Sequence, residues 1–159
     1  MDELLKLLKE NALETPENMA RMLNTSVEDI TTRRKAFEEE GIIRGYQAIV
    51  DEDKLDLDKV TAVIEVKITP EREGGFDRIA QRICRFEAVR SAYLMSGAYD
   101  LLLFVAGRNL REVASFVSEK LSTMDSVTST GTHFMLKTYK NDGVMMEMEE
   151  EDERLKVTP

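Results

Sequence analysis

A chain of 159 residues is long enough for one ordinary domain or two small ones. Its 42% hydrophobic and 6% aromatic residues supply a core, although small domains bury little surface and gain from association. With 33% charged residues and a net charge of -9, the chain is soluble but does not attract a polyanion as a whole, which counts against DNA binding.

Residues 4 to 43 carry helical periodicity and no strand-like run. Leu4, Leu5, Leu7 and Leu8 share helical spacing and predict a first amphipathic helix. Thr15-Pro16-Glu17 is a helix start, with a threonine cap, a proline at the first helical position and an acid in the first turn. The helix it opens is short and carries Met19, Ala20, Met22 and Leu23. Asn24 then ends it, since asparagine tolerates the left-handed conformation. Ser26 caps a third helix, with Asp29 three residues on as a short capping-box partner. Ile30 and Phe37, seven apart, face the same way before Gly41 stops the helix. Two helices across a tight turn, with a third beneath, make a helix-turn-helix head.

Residues 44–50 read as a strand joining two domains, and DEDKLDLD at 51–58 as a polar linker. From 60 to 68, Val60, Ala62, Ile64, Val66 and Ile68 line one strand face. After Gly74-Gly75, the residues Phe76, Ile79, Ile83 and Phe86 mark the inner stripe of a helix. Strands at 88–95 and 99–106 flank Ser96-Gly97-Ala98, which suits a tight hairpin. Asn109 and Glu112 are placed as a cap and its reciprocal partner, opening a helix expected to bury Leu110, Val113, Ala114, Val117 and Leu121. A last strand runs from about 127 to 139. The order is β-α-β-β-α-β, a ferredoxin-like unit, so the fold class is α+β. The expected divisions are a head at 1–43, a linking strand and linker at 44–59, a ferredoxin-like domain at 60–140 and an acidic tail at 141–159.

Several segments together resemble a known family. LLKLLKENA, Met19-Ala20, Ile30-x-x-Arg33 and FEEEGIIRGYQAIVD look like the DNA-binding head of the Lrp/AsnC, or feast/famine, regulators. PEREGGFDRIAQRI, FEAVRSAYLMSGAYDLLLFVAG and VTSTGTHFMLKTYK resemble their ligand-sensing half. The likeness covers residues 4 to 140. Its specificity lies in the order and spacing of about six segments rather than in one motif. Three features depart from the family. The chain begins about one helical turn later than typical heads, Asn24 stands where glycine is usual, and Arg34 stands where an aliphatic residue is usual. The stem of Arg34 can still pack while its charge reaches solvent. The resemblance implies a homodimer built partly by pairing of the linking strands, often stacked into octamers. It further implies double-stranded DNA as a partner at pseudo-palindromic sites, and an amino acid as small-molecule effector.

The recognition helix is then 26–40. With Ile30 and Phe37 inward, helical geometry puts Glu28, Thr32 and Lys35 on the opposite face, with Arg33 and Arg34 flanking. The DNA-binding candidates are Ser26, Glu28, Thr31, Thr32, Arg33, Arg34 and Lys35, threonine and lysine as groove readers and arginine as a grip on phosphate or guanine. Against this, residues 1–50 hold seven bases and ten acids, a head charge of -3. Phosphate contacts supply most affinity, so one head binds weakly, and two heads on a dimer recover affinity through effective concentration. The alternative is a helical head used only for protein contacts.

The effector candidates are Met95, Gly97, Tyr99 and Asp100 of the hairpin loop, with Ser129 and Thr130 on the last strand. The resemblance points to this loop as part of an effector cleft between dimers. There Asp100 would hold an ammonium group, and the two hydroxyls would meet the carboxylate end. The competing reading is a hairpin whose Asp100 caps its turn and whose Tyr99 fills a gap. Arg78, Arg82 and Arg85 form a basic stripe, read either as a contact for wrapped DNA or as a solvated face pairing with Glu71, Glu73 or Asp77. His133 and Cys84 on separate elements make no ligand cluster, and Cys84 is expected to pack as a small hydrophobe. No metal or cofactor is expected. A lone histidine and the lack of a nucleophile motif argue against an enzyme, although fold alone does not exclude one. The tail from 142 has seven acids against two bases and disorder as its default. Val144, Met145, Met146, Met148, Leu155 and Val157 leave open its docking on a sheet edge or a neighbouring subunit. No apolar run approaches the roughly 20 residues that span a bilayer, and the charged N-terminus lacks the layout of a secretion signal. One cysteine forms no intrachain disulfide. A cytoplasmic address and no membrane partner are therefore expected. The competing function is a metabolite-binding oligomer that does not bind DNA.

Overall fold

A computed structural model describes residues 1–55, 57–70 and 75–146. The chain forms two compact units, Met1–Ile49 and Val50–Pro159. In the first, α1 spans Glu3–Glu10, α2 Pro16–Met22 and α3 Val27–Glu39. Each start is capped by its own side chain. Asp2 accepts from the Leu4 N–H, Thr15 from that of Asn18, and Ser26 from that of Asp29, satisfying donors that a helix leaves orphaned. Asn24 has φ 51°, the left-handed turn expected between α2 and α3. Leu4, Leu8, Met19, Ala20 and Ile30 are buried together, with Leu7, Leu23, Phe37 and Ile43 packed on them. Met22 is 63% exposed, further along the helix from the buried pair Met19 and Ala20. The capping box is only half made. Asp29 turns from Ser26 to accept from the Thr25 hydroxyl and the Arg33 guanidinium.

The second unit begins with a short 3-10 turn, Glu52–Lys54. It continues with β1 (Val60–Ile68), α4 (Asp77–Cys84), β2 (Val89–Leu94), β3 (Leu101–Gly107), α5 (Leu110–Phe116) and β4 (Val127–Phe134). The strands form one antiparallel sheet in the order β2-β3-β1-β4, the ferredoxin-like arrangement. Alternation along β1 and β3 explains why one face is dry. Ala62, Ile64, Val66 and Ile68 join Leu101, Leu103 and Val105 in a core completed by Ile79 and Ile83 of α4, Val113 of α5, and Leu121 and Met124 beyond it. Phe86 and Phe116 meet edge-to-face at 5.5 Å.

Several expectations are corrected. Residues 44–50 form no strand, because a strand needs a ladder partner and the described residues of this chain offer them none. The last strand stops at Phe134 rather than near 139. One further bond, from the Met135 N–H to the Thr61 carbonyl at 2.9 Å, ends the pairing. The chain then makes a small hairpin, β5 (Lys140–Asn141) with β6 (Val144–Met145). It turns through Asp142 and Gly143 at φ 45° and 88°, both positive as a tight hairpin turn requires. Met146 is buried at its end, so residues 142–146 belong to the ordered domain. Residues 147–159, with Met148, Leu155 and Val157, lie outside the described residues, as do Asp56, Glu71, Glu73 and Gly74.

In α5, Leu110 and Ala114 are exposed instead of buried. The expected Val113, Val117 and Leu121 do meet the core, joined by Phe116, and a π-helical turn, Val117–Leu121, follows α5 at once. Glu112 reaches back one residue beyond the cap, to the Arg108 N–H. Cys84 is exposed, since the residue after Ile83 is rotated about 100° from the buried stripe.

Candidate nucleic-acid interface and effector loop

Burial of Ile30 and Phe37 orients α3 and leaves Ser26, Glu28, Thr31, Thr32 and Lys35 exposed, with Arg33 and Arg34 half-buried beside them. Their chemical freedom differs. The Ser26 oxygen is committed to the cap at 3.1 Å. The Thr31 hydroxyl donates to the Val27 carbonyl at 2.9 Å, leaving its oxygen as an acceptor. Lys35 lies 3.6 Å from Glu39, with a side chain 72% exposed, a pair weak enough to be exchanged for a phosphate. The Arg34 Nε is 3.7 Å from Glu38, which also accepts from the Tyr46 hydroxyl at 2.8 Å. Burial, then that bond to Glu38, raises the Tyr46 phenol above its ordinary range.

Arg33 stands apart. It grips both carboxylate oxygens of Asp2 at 2.7 and 2.8 Å and one of Asp29 at 3.2 Å. The hydrogen bonds from Arg33 hold the Asp2 carboxyl below its usual range, and those to Asp2 and then Asp29 raise the guanidinium. Arg33 therefore ties the start of α1 to α3, and the exposed helix surface is that of Glu28, Thr31, Thr32, Arg34 and Lys35. No local pattern reveals this clamp, because its partners are 31 residues apart.

The expected effector loop is a pinned structure. The Met95 N–H donates to the Asp100 carbonyl at 2.8 Å, and the Asp100 N–H to the Val66 carbonyl at 3.0 Å. Asp100 Oδ2 accepts from the Ile68 N–H at 2.8 Å, where β1 slips register against β4. Met95 is exposed, while Tyr99 and Asp100 are half-buried. Gly97 has φ 152°, a conformation that side chains rarely adopt, although a Cβ there would meet nothing within 4 Å. Ser129 pairs with Lys67 and Thr130 with Val66. Consecutive strand residues point to opposite faces, so Ser129 lies on the open face and Thr130 on the helix side. Both are across β1 from β3, two strand spacings or about 10 Å. The fold thus gathers Met95, Gly97, Tyr99 and Asp100 in one loop, and does not bring both hydroxyls to it from one side.

His133 Nε2 is 3.6 Å from Glu65 Oε1 on the open sheet face, both side chains well exposed. No group of three or more His, Cys, Asp or Glu side chains among the described residues could hold a metal ion. Arg82 and Arg85 are exposed along α4. No helix among the described residues is long and apolar enough to cross a membrane.

A helix-turn-helix head joined to a ferredoxin-like domain defines a two-part regulator architecture, and comparison with known proteins gives it a family. The model of the Lrp/AsnC ligand binding domain matches residues 61–145. The HTH-type transcriptional regulator YugG of Bacillus subtilis (strain 168) is 47% identical over 99% of this chain and 95% of its own length. The HTH-type regulator LrpA of Pyrococcus horikoshii is 30% identical over 86% of this chain and 94% of its own. A Neisseria meningitidis transcriptional regulator, solved as an L-Met complex, shares the fold at a TM-score of 0.69. It is 24% identical, with 89% of this chain and 93% of that one covered. The chain belongs to the Lrp/AsnC family, whose curated relatives here are named as transcriptional regulators.

Proposed function

We propose that this chain is a sequence-specific DNA-binding transcriptional regulator whose activity responds to an amino acid. The observation that carries the reading is the face of α3. Its buried stripe is fixed by Ile30 and Phe37, and the opposite side presents Thr31, Thr32, Arg34 and Lys35. Threonine and lysine there suit base edges and phosphates in a major groove. The head's charge of -3 limits phosphate affinity, so two heads on a dimer would act together. The effector reading rests on the loop around Asp100, whose Oδ2 is engaged by Ile68 and whose Oδ1 is the atom left for a ligand ammonium. The L-Met complex of the Neisseria regulator supports an amino acid as the ligand class. An effector that favours one assembly would change how the heads are spaced on DNA, a shift of populations.

The acidic head also favours a second reading, a metabolite-binding oligomer without DNA binding. Purified protein titrated with salt against its own upstream DNA, with and without amino acids, separates the two. Sequence-preferring binding that weakens with salt and changes with one amino acid supports the regulator. An absence of binding at low salt in either condition supports the oligomer.

A further inference from the structure

The segment after α3 turns back along it and brings one hydroxyl beside the face assigned to DNA. Gly41 makes the turn at φ 70°. Its N–H donates to the Glu38 carbonyl at 3.1 Å, and that of Ile43 to the Phe37 carbonyl at 3.0 Å. Ile43 packs on the head core, and the Arg44 guanidinium lies over Gly41, where a Cβ would meet it at 3.1 Å. Held in this way, the segment delivers the Tyr46 hydroxyl to Glu38 Oε1 at 2.8 Å. The Arg34 Nε faces the same oxygen from 3.7 Å, beyond hydrogen-bonding reach. Among the described residues the Arg34 guanidinium makes no hydrogen bond, whereas Arg33 gives three.

We propose that Tyr46 is a positioning residue for DNA binding: by occupying Glu38 Oε1 it keeps the Arg34 guanidinium free to take a phosphate. The inference rests on the DNA-binding reading and adds to it a residue outside α3. Glu38 is the competitor because it follows Arg34 by four residues, which puts the two side chains on one helix face. The last turn of α3 holds no base, and the helix dipole disfavours a carboxylate there, so Glu38 takes the donor it is offered. Order along the helix also matters, since an acid placed before its base pairs better than the reverse. Asp29 and Arg33 have the better order and are hydrogen-bonded at 3.2 Å. Arg34 and Glu38 have the worse one, and a neutral hydroxyl is enough to come between them. Burial, then the bond to Glu38, raises the Tyr46 phenol above its ordinary range, so it remains a protonated donor at neutral pH. Without that hydroxyl, Arg34 can close on Glu38 through charge-assisted bonds, which a phosphate would first have to break. Because Tyr46 belongs to residues 44–50, a rearrangement of that segment reaches the DNA face through a single bond.

The test is Tyr46→Phe in the full-length protein, titrated with salt on its own upstream duplex. Affinity should fall about two- to fivefold per head, the strength of an exposed ion pair. The slope of log K against log salt should become shallower by about one per head, as one phosphate contact is lost. Glu38→Gln should raise affinity, and in that background Tyr46→Phe should cost nothing, because the competitor for Arg34 is gone. In the free protein the Tyr46 phenol, followed by its ring carbon signal, should titrate lower in Glu38→Gln than in wild type. Unchanged affinity in Tyr46→Phe overturns the proposal, as does a loss of equal size with and without Glu38→Gln. A Tyr46 titration indifferent to Glu38→Gln overturns it too. In these cases wild type still binds DNA and the regulator reading stands. If wild type binds no duplex at low salt, the DNA-binding reading itself fails and this proposal fails with it.

Discussion

Arg33 shows how a side chain suited to DNA is given to folding. Its two hydrogen bonds to Asp2 and one to Asp29 make Arg33→Ala a stability variant. Loss of this half-exposed clamp should cost up to about 1 kcal/mol, read as a lower midpoint in urea, with sequence preference on DNA retained. The pH dependence has a definite sign. The Asp2 carboxyl is lowered in the folded head, so its contribution is complete above the unfolded carboxylate value of about 3.9 and is lost as pH falls through the folded value. The difference between wild type and Arg33→Ala should therefore shrink in acid and stay constant from about pH 5 upward. Asp100 poses the converse case. Asp100→Asn keeps an oxygen for the Ile68 N–H and removes the charge. It should leave the melting temperature nearly unchanged while abolishing stabilisation by the amino-acid effector. Asp100→Ala loses the loop pin as well. An Asn variant still stabilised by the effector would remove Asp100 from the ligand site.

At the scale of elements, periodicity carried most of the information. Helix starts at Thr15-Pro16 and Ser26, the alternation of β1 and the stripe of α4 were all legible, because each is local in sequence. Asn24 was legible for the same reason, and its φ of 51° makes a prediction. Asn24→Ala should destabilise the head by about 1–2 kcal/mol through the left-handed backbone alone, measured by thermal unfolding, and Asn24→Gly should not. What escaped was non-local or a matter of phase. Along α5 the expected Val113, Val117 and Leu121 do reach the core, while Leu110 and Ala114 face out and Phe116 packs inward in their stead. The strand expected at 44–50 has no ladder partner among the described residues. Ser129 and Thr130 lie on opposite faces of β4, because neighbouring strand residues alternate. The Asp142-Gly143 hairpin was readable in principle, as an Asp-Gly turn before the apolar Val144-Met145-Met146, but the polar residues on its other side concealed it.

For the whole molecule, charge sets the terms. A net charge of -9 with a head at -3 means that DNA affinity cannot come from bulk attraction. On the proposed reading it would come from a few exposed groups on α3, used twice in a dimer. Binding should therefore show a shallow salt dependence, reflecting few phosphate contacts per head, and a strong dependence on dimer concentration. The most direct measurement compares Thr32→Ala/Lys35→Ala with Arg33→Ala on a selected duplex and on its scrambled counterpart. The account predicts that the first variant folds normally and loses sequence preference by about tenfold or more, while Arg33→Ala keeps its preference once folded. Equal preference in wild type and Thr32→Ala/Lys35→Ala would contradict it, since the exposed face of α3 would then not read DNA.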